Sequence, residues 1–564
     1  MRLRAIGLST GESHQLIQLI QKWINSSGEE WTVDRIKSIK LDLVRHFAGL
    51  PPMKSHSWIH YGPKGPRGPF RVIFKMSFSD FKRAWNAIMV YTALMYDHPE
   101  LRVTDRQWKK AISAIKRDAL TSEALVYGLG LIHESPLVLS IKVGETGSPL
   151  VDFQASPTRR APKMFQTVPE AEAVLDSWIP LLTKSEFSLR FWDILKGTAL
   201  GYEKPIMEHL QLNDEFDRKA SGHVTEMPDM GLISLIQEAG YKLRFAANPY
   251  RVYQAALRPL GDSLFDALKR VPNDFTFDQE QGVYAIQAWL AEGRPGCSMD
   301  LSNATDNFPL ALQLEFLSRC GVGTMWLQFL QACCQGNWFT RLRKKGELIT
   351  VRWSVGTPLG LYPTFAAFAL THHCVVQWCF HHLGKVKDDK GRYPYAIVGD
   401  DCTIMDIEVA NLYRDVMNTL GVPVSKEKTL FADHTAEFVG RVITPTSVVQ
   451  GFKWKGRVSD ESFMDLCRNL GPRSLIFMRP RQKRVISYLA DLPEPYGFGW
   501  NPFGIPLEER LTPAIESAFE QDDRLVSFSR RASRVHTFQY KSTLFVGTGW
   551  LPSSEINEAD LSSD

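Results

Sequence analysis

YPYAIVGDDCTIMD, residues 393–406, sets two adjacent carboxylates, Asp400 and Asp401, between two apolar runs. Tyr395-Ala396-Ile397-Val398 has the composition of a buried strand, Gly399 permits a tight turn, and Thr403-Ile404-Met405 reads as the returning strand. The tripeptide Gly-Asp-Asp arises by chance in roughly one chain of this length in ten, so its setting carries the weight. A purely structural hairpin favours Asn-Gly or Asp-Gly at its turn. Two adjacent carboxylates repel each other, and bound cations would offset that cost. A third carboxylate, Asp300 in CSMDLSNATDNF (297–308), follows another short strand-like run. Together the three could form a centre for two Mg²⁺ ions, with Mn²⁺ able to substitute, at which a phosphoryl group is transferred.

Other motifs flank this centre. Asp306 lies beyond the strand that delivers Asp300, where a carboxylate can accept a hydrogen bond from a ribose 2′-OH. It also stands where it could cap a helix starting around Phe308–Pro309, and both roles are compatible. In SVGTPLGLYPTFAAFALTHH (354–373), Gly356, Pro358 and Gly360 make a loop whose backbone can approach a ligand closely, and a long apolar helix follows. Upstream, EAGYKLRFAANPYRVYQAALRPLGD (238–262) carries Lys242, Arg244, Arg251 and Arg258. Lys242 and Arg244 alternate on an expected strand, so both project from one face, where they could neutralise a triphosphate. Downstream, GVPVSKEKTLF (421–431) supplies Lys426 and Lys428, either of which could protonate a departing pyrophosphate. AEFVGRVI (436–443) reads as a strand entering another hairpin.

The 564 residues are 44% hydrophobic and 23% charged, an ordinary globular balance. A net charge of +4 is too small to identify a nucleic-acid partner, so any basic channel must be local. All eight cysteines fall between Cys297 and Cys467 without a CxxC pair, which points to a reducing compartment. His372, His373, Cys374, Cys379, His381 and His382 invite comparison with a zinc site. On one apolar helix they point in several directions, so core residues are the preferred reading. No secretory signal or transit peptide is visible, and the apolar stretch from Thr364 to Leu383 reads as a core helix, leaving no integral membrane segment.

Residues 1–225 read as mostly helical, from patterns such as HQLIQLIQKWI. Gly/Pro-rich basic breaks at 61–70 and 144–163 are expected to be solvated loops, so Lys64, Arg67, Arg159 and Arg160 need no phosphate partner. Between 231 and 450 short apolar strands alternate with helices, an α/β (α+β) texture. Basic helical segments follow, and residues 552–564 are acidic, polar and expected to be disordered.

Taken in order, these motifs resemble those of viral RNA-dependent RNA polymerases, and are closest to the narnavirus, mitovirus and ourmia-like group. The resemblance runs from about residue 238 to 443, with a looser likeness in PEPYGFGWNPFGIP (493–506). It implies a right-hand polymerase with fingers, palm and thumb, the palm sheet flanked by helices. The expected layout is a helical region at 1–225, fingers at 226–295 and a palm at 296–450, with 307–350 partly in the fingers. Thumb and C-terminal region would occupy 451–551. The resemblance implies that Asp300 and Asp400 hold the metals with Asp401 as auxiliary ligand, and that Lys428 is the general acid, because SKEKT matches the group's Ser-x-x-Lys-Ser/Thr. Lys242, Arg244, Arg251, Asp306, Gly360 and Thr364 would meet the incoming nucleotide. Gly356, together with the basic clusters Arg341, Arg343, Lys344 and Lys345 and Arg481, Lys483 and Arg484, is a candidate for contacts with template or product RNA.

One departure concerns the sugar. Many RNA polymerases carry a serine and an asparagine that help the counterpart of Asp306 read the ribose; here those positions hold Leu359 and Phe368. The expected activity is RNA-dependent RNA synthesis from nucleoside triphosphates on a positive-strand viral genome. A reverse transcriptase would carry an aromatic steric gate shortly after Asp300 instead of an acid at 306, and an RNA-coating derivative would have no need of all three aspartates. Replication in the host cytoplasm is expected, with the mitochondrion as the alternative.

Overall fold

The computed structural model describes residues 8–53, 61–62, 65–94, 120–144, 230–249, 251–341 and 348–451, together with Leu3 and Ile115. They fall into two compact units. The first is drawn from Met1–Met95, Glu238–Lys242 and Val449–Asp564, and the second from Tyr96–Gln237 and Leu243–Val448.

The N-terminal part of the first unit is mostly helical where described. Helix α1 (Thr10–Ser27) opens on a capping box in which Ser9 and Glu12 satisfy each other's backbone N–H groups. Gly28, at φ 86°, separates it from α2 (Glu29–Phe47). A short hairpin, β1 (Tyr61–Gly62) with β2 (Gly65–Pro66), precedes α3 (Arg71–Ser79) and α4 (Phe81–Ile88). Val33, Ile36, Ile39 and Leu43 recur at helical spacing along α2 and are fully buried, as are Phe74 and Ala84. The break at 61–70 is therefore not simply a solvated loop: it holds the hairpin, anchors the Tyr61 hydroxyl on Asp42 and buries Phe70.

The second unit carries the motifs. Helix α5 (Ser122–Glu134) is capped by Thr121. Strands β3 (Gly231–Glu238) and β4 (Lys242–Pro249) lead to α6 (Arg251–Leu268) and α7 (Gln279–Ala291), the latter capped by Asp278. Then come β5 (Gly296–Asp300), the single turn α8 (Ala304–Asn307), α9 (Leu310–Arg319) and α10 (Thr324–Gln335). A β6–β7 hairpin (Trp338–Arg341, Leu348–Val351) precedes α11 (Thr364–His382). Strands β8 (Tyr395–Val398) and β9 (Asp401–Ile404) flank the Gly-Asp-Asp turn, and α12 (Ile407–Thr419) follows, its first turn capped by Asp406. Four short strands complete the described chain: β10 (Leu430–Ala432), β11 (Ala436–Phe438), β12 (Arg441–Ile443) and β13 (Val448–Gln450).

The central sheet has the order β10-β5-β9-β8, antiparallel throughout. Its strands lack polar alternation because most of their side chains are buried: Cys297 and Met299, Tyr395 to Ile397, and Cys402 to Ile404 are all in the interior. Helix α11 explains the apolar stretch beginning at Thr364, since every residue from Ala366 to Phe380 is buried. It is the core helix of this unit, and no described helix is long and apolar enough to cross a membrane. A second sheet runs β4-β3-β6-β7, so strands and helices mix as the sequence texture implies.

Two local expectations need correction. AEFVGRVI is not one strand entering a hairpin but is itself the hairpin, broken by Val439 and Gly440 at φ 46° and 74°. Asp306 does not cap the following helix: α9 has Pro309 at its N-cap without a side-chain hydrogen bond, and the Asp306 carboxylate points elsewhere.

Candidate active site

Antiparallel pairing puts Asp300, the last residue of β5, directly opposite Asp401, the first residue of β9. Gly399 makes this possible, because its φ of 61° turns the chain sharply between β8 and β9 and leaves Asp400 exposed at the tip. Burial, then the charges of Asp400 and Asp300, push the Asp401 carboxyl up to about 7, while Lys428 opposes the rise. The Lys428 ammonium donates to Asp300 Oδ2 at 2.8 Å. Its own segment is tied to the same strand end, since Ser425 N–H donates to the Asp300 carbonyl and Ser302 N–H to that of Pro423. Of the two lysines in SKEKT, this geometry singles out Lys428.

The turn is held from behind by α11. His372 lies fully buried, its Nδ1 2.9 Å from the Gly399 carbonyl and its Nε2 2.7 Å from the Tyr413 hydroxyl. A carbonyl only accepts, so Nδ1 carries the proton and Tyr413 donates to Nε2. Burial drives the His372 pKa down to about 3, keeping the ring neutral. His373 is equally buried and bridges Tyr395 and Asp274, at 2.9 and 3.0 Å. The buried members of the His/Cys cluster are thus core residues with polar partners, whereas His381 and His382 lie exposed at the helix end. The described cysteines are unpaired and buried.

The glycine loop packs against the chain itself. A Cβ on Gly356 would come within 2.1 Å of the Thr305 carbonyl, and Thr357 N–H donates to that same carbonyl at 2.7 Å. Gly356, expected to meet RNA, is instead buried against the Thr305–Asp306 backbone. Gly360, at φ 120°, is exposed and abuts the Ala247 carbonyl. Thr364, expected beside the nucleotide, is buried; its hydroxyl donates to the loop carbonyls of Leu361 and Pro358, at 2.7 and 3.1 Å. Its work is to close the loop. At the positions where helpers for Asp306 were expected, Leu359 offers only its carbonyl, to Ala247 N–H, and Phe368 packs on Phe308 and His372.

Asp306 sits on α8, half-buried, and accepts a hydrogen bond from the Trp353 indole N–H at 2.9 Å. Burial pushes its carboxyl up to about 6, and the indole works against that rise. Sequence inspection had no signal for Trp353, which lies 47 residues away. Lys242 and Arg244 are both exposed on β4 as their alternation implies, Lys242 ion-paired with Glu238 at 3.2 Å. Arg251 opens α6, and its side chain is outside the described residues, as is that of Arg341. Arg343, Lys344, Lys345, Arg481, Lys483 and Arg484 also lie outside them, together with Lys64, Arg159, Arg160 and the acidic tail at 552–564.

Mg²⁺ prefers oxygen ligands and is usually held by one or two carboxylates, with water and substrate phosphates completing its shell. Among the described residues no three His, Cys, Asp or Glu side chains converge on one point. The carboxylates nevertheless share one negative field, strong enough to lift Asp401, and the donor set is all oxygen. These residues fit a divalent cation whose shell is finished by phosphate.

Residues 158–467 match the family model of the mitovirus RNA-dependent RNA polymerase. The chain belongs to that family. An RNA-directed RNA polymerase of Cryphonectria parasitica mitovirus 1 is 31% identical over 221 residues, 38% of this chain and 26% of that protein. The chain thus spans about a quarter of the length of this curated mitovirus relative. An uncharacterised mitochondrial protein of Arabidopsis thaliana is 32% identical over 164 residues, 29% of this chain and 77% of that one. Among solved structures, the RNA-dependent RNA polymerase of a human picobirnavirus aligns with a TM-score of 0.42 at 11% identity, over 84% of this chain and 90% of that one. The mitovirus match extends over the central sheet, the glycine loop and the Gly-Asp-Asp turn.

Proposed function

We propose that this chain is an RNA-directed RNA polymerase that copies a positive-strand viral RNA genome, adding ribonucleotides to a growing 3′-OH. The observation that supports this most is the facing of Asp300 and Asp401 across β5 and β9, beside Asp400, in a member of the mitovirus polymerase family. Asp300, Asp400 and Asp401 would hold two Mg²⁺ ions, for which Mn²⁺ could substitute. When bound, the ions would activate the 3′-OH and neutralise charge building on the pyrophosphate. Lys428, already beside Asp300, holds a proton within reach of that centre and can hand it to the departing pyrophosphate. Arg244, exposed on β4, supplies positive charge for the triphosphate. Asp306 accepts a hydrogen bond from the ribose 2′-OH, which a deoxyribonucleotide cannot give. His372 and Tyr413 fix the carbonyl that shapes the catalytic turn.

Replication in the host cytoplasm, with the mitochondrion as the alternative, belongs to the same proposal; one relative is described as mitochondrial. The test of function is to supply purified chain with an RNA template, Mg²⁺ and either ribo- or deoxyribonucleoside triphosphates. Template-directed RNA product is expected. Incorporation of deoxyribonucleotides alone would instead mark a reverse transcriptase, and RNA binding without synthesis a coating protein.

A further inference from the structure

The sugar-reading carboxylate lacks the polar neighbours that such a residue needs. Leu359 and Phe368 bring only apolar side chains, and Thr364 spends its hydroxyl on loop carbonyls. A half-buried carboxylate left unrestrained rotates about its side-chain torsions and discriminates poorly, because a hydrogen bond demands direction as well as distance.

Trp353 meets that need. It is 2% exposed and packs edge-on against the buried Trp338, with ring centroids 5.5 Å apart. Its indole N–H has a single proton to give, and it gives it to Asp306 Oδ1 at 2.9 Å. The backbone that follows Trp353 is pinned to the segment that carries Asp306. Thr357 N–H donates to the Thr305 carbonyl, Leu310 N–H donates to the Val355 carbonyl, and Gly356 leaves no room for a side chain against Asp306. The indole is therefore placed by main chain and packing rather than by a free rotamer. Among the described residues no donor reaches Asp306 Oδ2, so one carboxylate oxygen is fixed and the other is left to receive a hydroxyl.

We infer that Trp353 is the positioning residue for ribose selection: its indole N–H holds Asp306 Oδ1 so that Oδ2 faces the 2′-OH of the incoming nucleotide. This rests on the proposed role of Asp306 in the polymerase site. The bond is a donor–carboxylate contact, the stronger class of hydrogen bond, and its loss is expected to cost roughly tenfold in discrimination.

The experiment compares kcat/KM for a ribonucleotide and its 2′-deoxy counterpart in the full chain, in Trp353→Phe, in Trp353→His and in Asp306→Ala. Trp353→Phe keeps an aromatic ring against Trp338 but removes the donor, and its ribo/deoxy ratio is expected to fall about tenfold. Trp353→His restores a ring N–H and is expected to recover part of the ratio, which a purely packing role would not produce. A wild-type ratio in Trp353→Phe overturns the inference. If Asp306→Ala also keeps the ratio, the reading of Asp306 itself fails; if only Asp306→Ala loses it, Trp353 alone is discarded. Should Trp353→Phe not fold, the wild-type chain with isotope-labelled tryptophan serves instead. The indole N–H signal that disappears from its place in Asp306→Asn should move when an unreactive ribonucleotide analogue binds and stay put with the 2′-deoxy analogue. Equal movement with both analogues overturns the inference as well.

Discussion

His372 on α11 holds the carbonyl of Gly399, 2.9 Å from its Nδ1, so the core helix of the unit grips the turn that presents Asp400 and Asp401. His372 and Gly399 are 27 residues apart in sequence, and helix and turn are joined by one neutral imidazole that Tyr413 orients from its other side. His372→Phe fills the space yet leaves a buried carbonyl and a buried hydroxyl unmet. A stability loss of about 2–4 kcal/mol is expected, with kcat falling more than the KM for nucleotide. Denaturant unfolding and steady-state kinetics on the same preparation check both.

The same ring sets a pH dependence. Its pKa in the native state is lowered to about 3, whereas the unfolded chain protonates near the ordinary histidine value. Stability from this group is therefore fully present above about pH 6.5 and is lost progressively as pH falls from there toward 3. Thermal melting of the wild type should show this acid slope, and His372→Gln should flatten it.

Asp401 is raised by burial and by its two carboxylate neighbours, so the metal-free centre is a site of electrostatic strain. Asp401→Asn is expected to raise metal-free stability by about 1–2 kcal/mol while abolishing nucleotide addition. Mg²⁺ should raise the melting temperature of the wild type more than that of the variant. Calorimetric scans with and without Mg²⁺ give both numbers.

Lys428 pairs with Asp300, whereas Lys426 is exposed two residues earlier. Lys428→Met is expected to lower kcat by about 10²-fold or more and to change the alkaline limb of the pH–rate profile, as loss of a general acid does. Lys426→Met should change neither. A rate that falls in both variants by the same amount would point to bulk charge instead.

Thr364→Val removes the hydroxyl that closes the glycine loop and nearly preserves volume. Because that hydroxyl faces two loop carbonyls, the expected loss is about 1–2 kcal/mol of stability with little change in KM for nucleotide. A large rise in KM without destabilisation would return Thr364 to the nucleotide.

Much of the candidate site could be read from the chain because its signals are local. The apolar runs around Gly-Asp-Asp and the need for a turn at Gly399 lie within a few residues of Asp400 and Asp401, and the strand before Asp300 runs directly into that residue. The all-apolar character of α11 likewise reported burial on every side. What could not be read depended on distant partners. Trp353 reaches Asp306 across 47 residues and His372 reaches Gly399 across 27, and no periodicity encodes either pairing. The resemblance sets Thr364 beside the nucleotide, and a loop glycine such as Gly356 lets backbone approach a ligand, yet the neighbours both meet in the fold are carbonyls of their own chain. The segment 436–443 reads as one strand entering a hairpin rather than as the hairpin itself because its turn is Val439-Gly440, with a β-branched residue where left-handed backbone usually calls for Asn or Asp.

The carboxylates brought together by β5 and β9 are proposed to catalyse template-directed RNA synthesis. The most direct measurement of this is single-turnover extension of a primed RNA template by one templated ribonucleotide, with Mg²⁺, for the wild type and Asp400→Asn. Extension by the wild type and a loss of at least about 10³-fold in the variant is the expected result. Equal rates in the two proteins would contradict it.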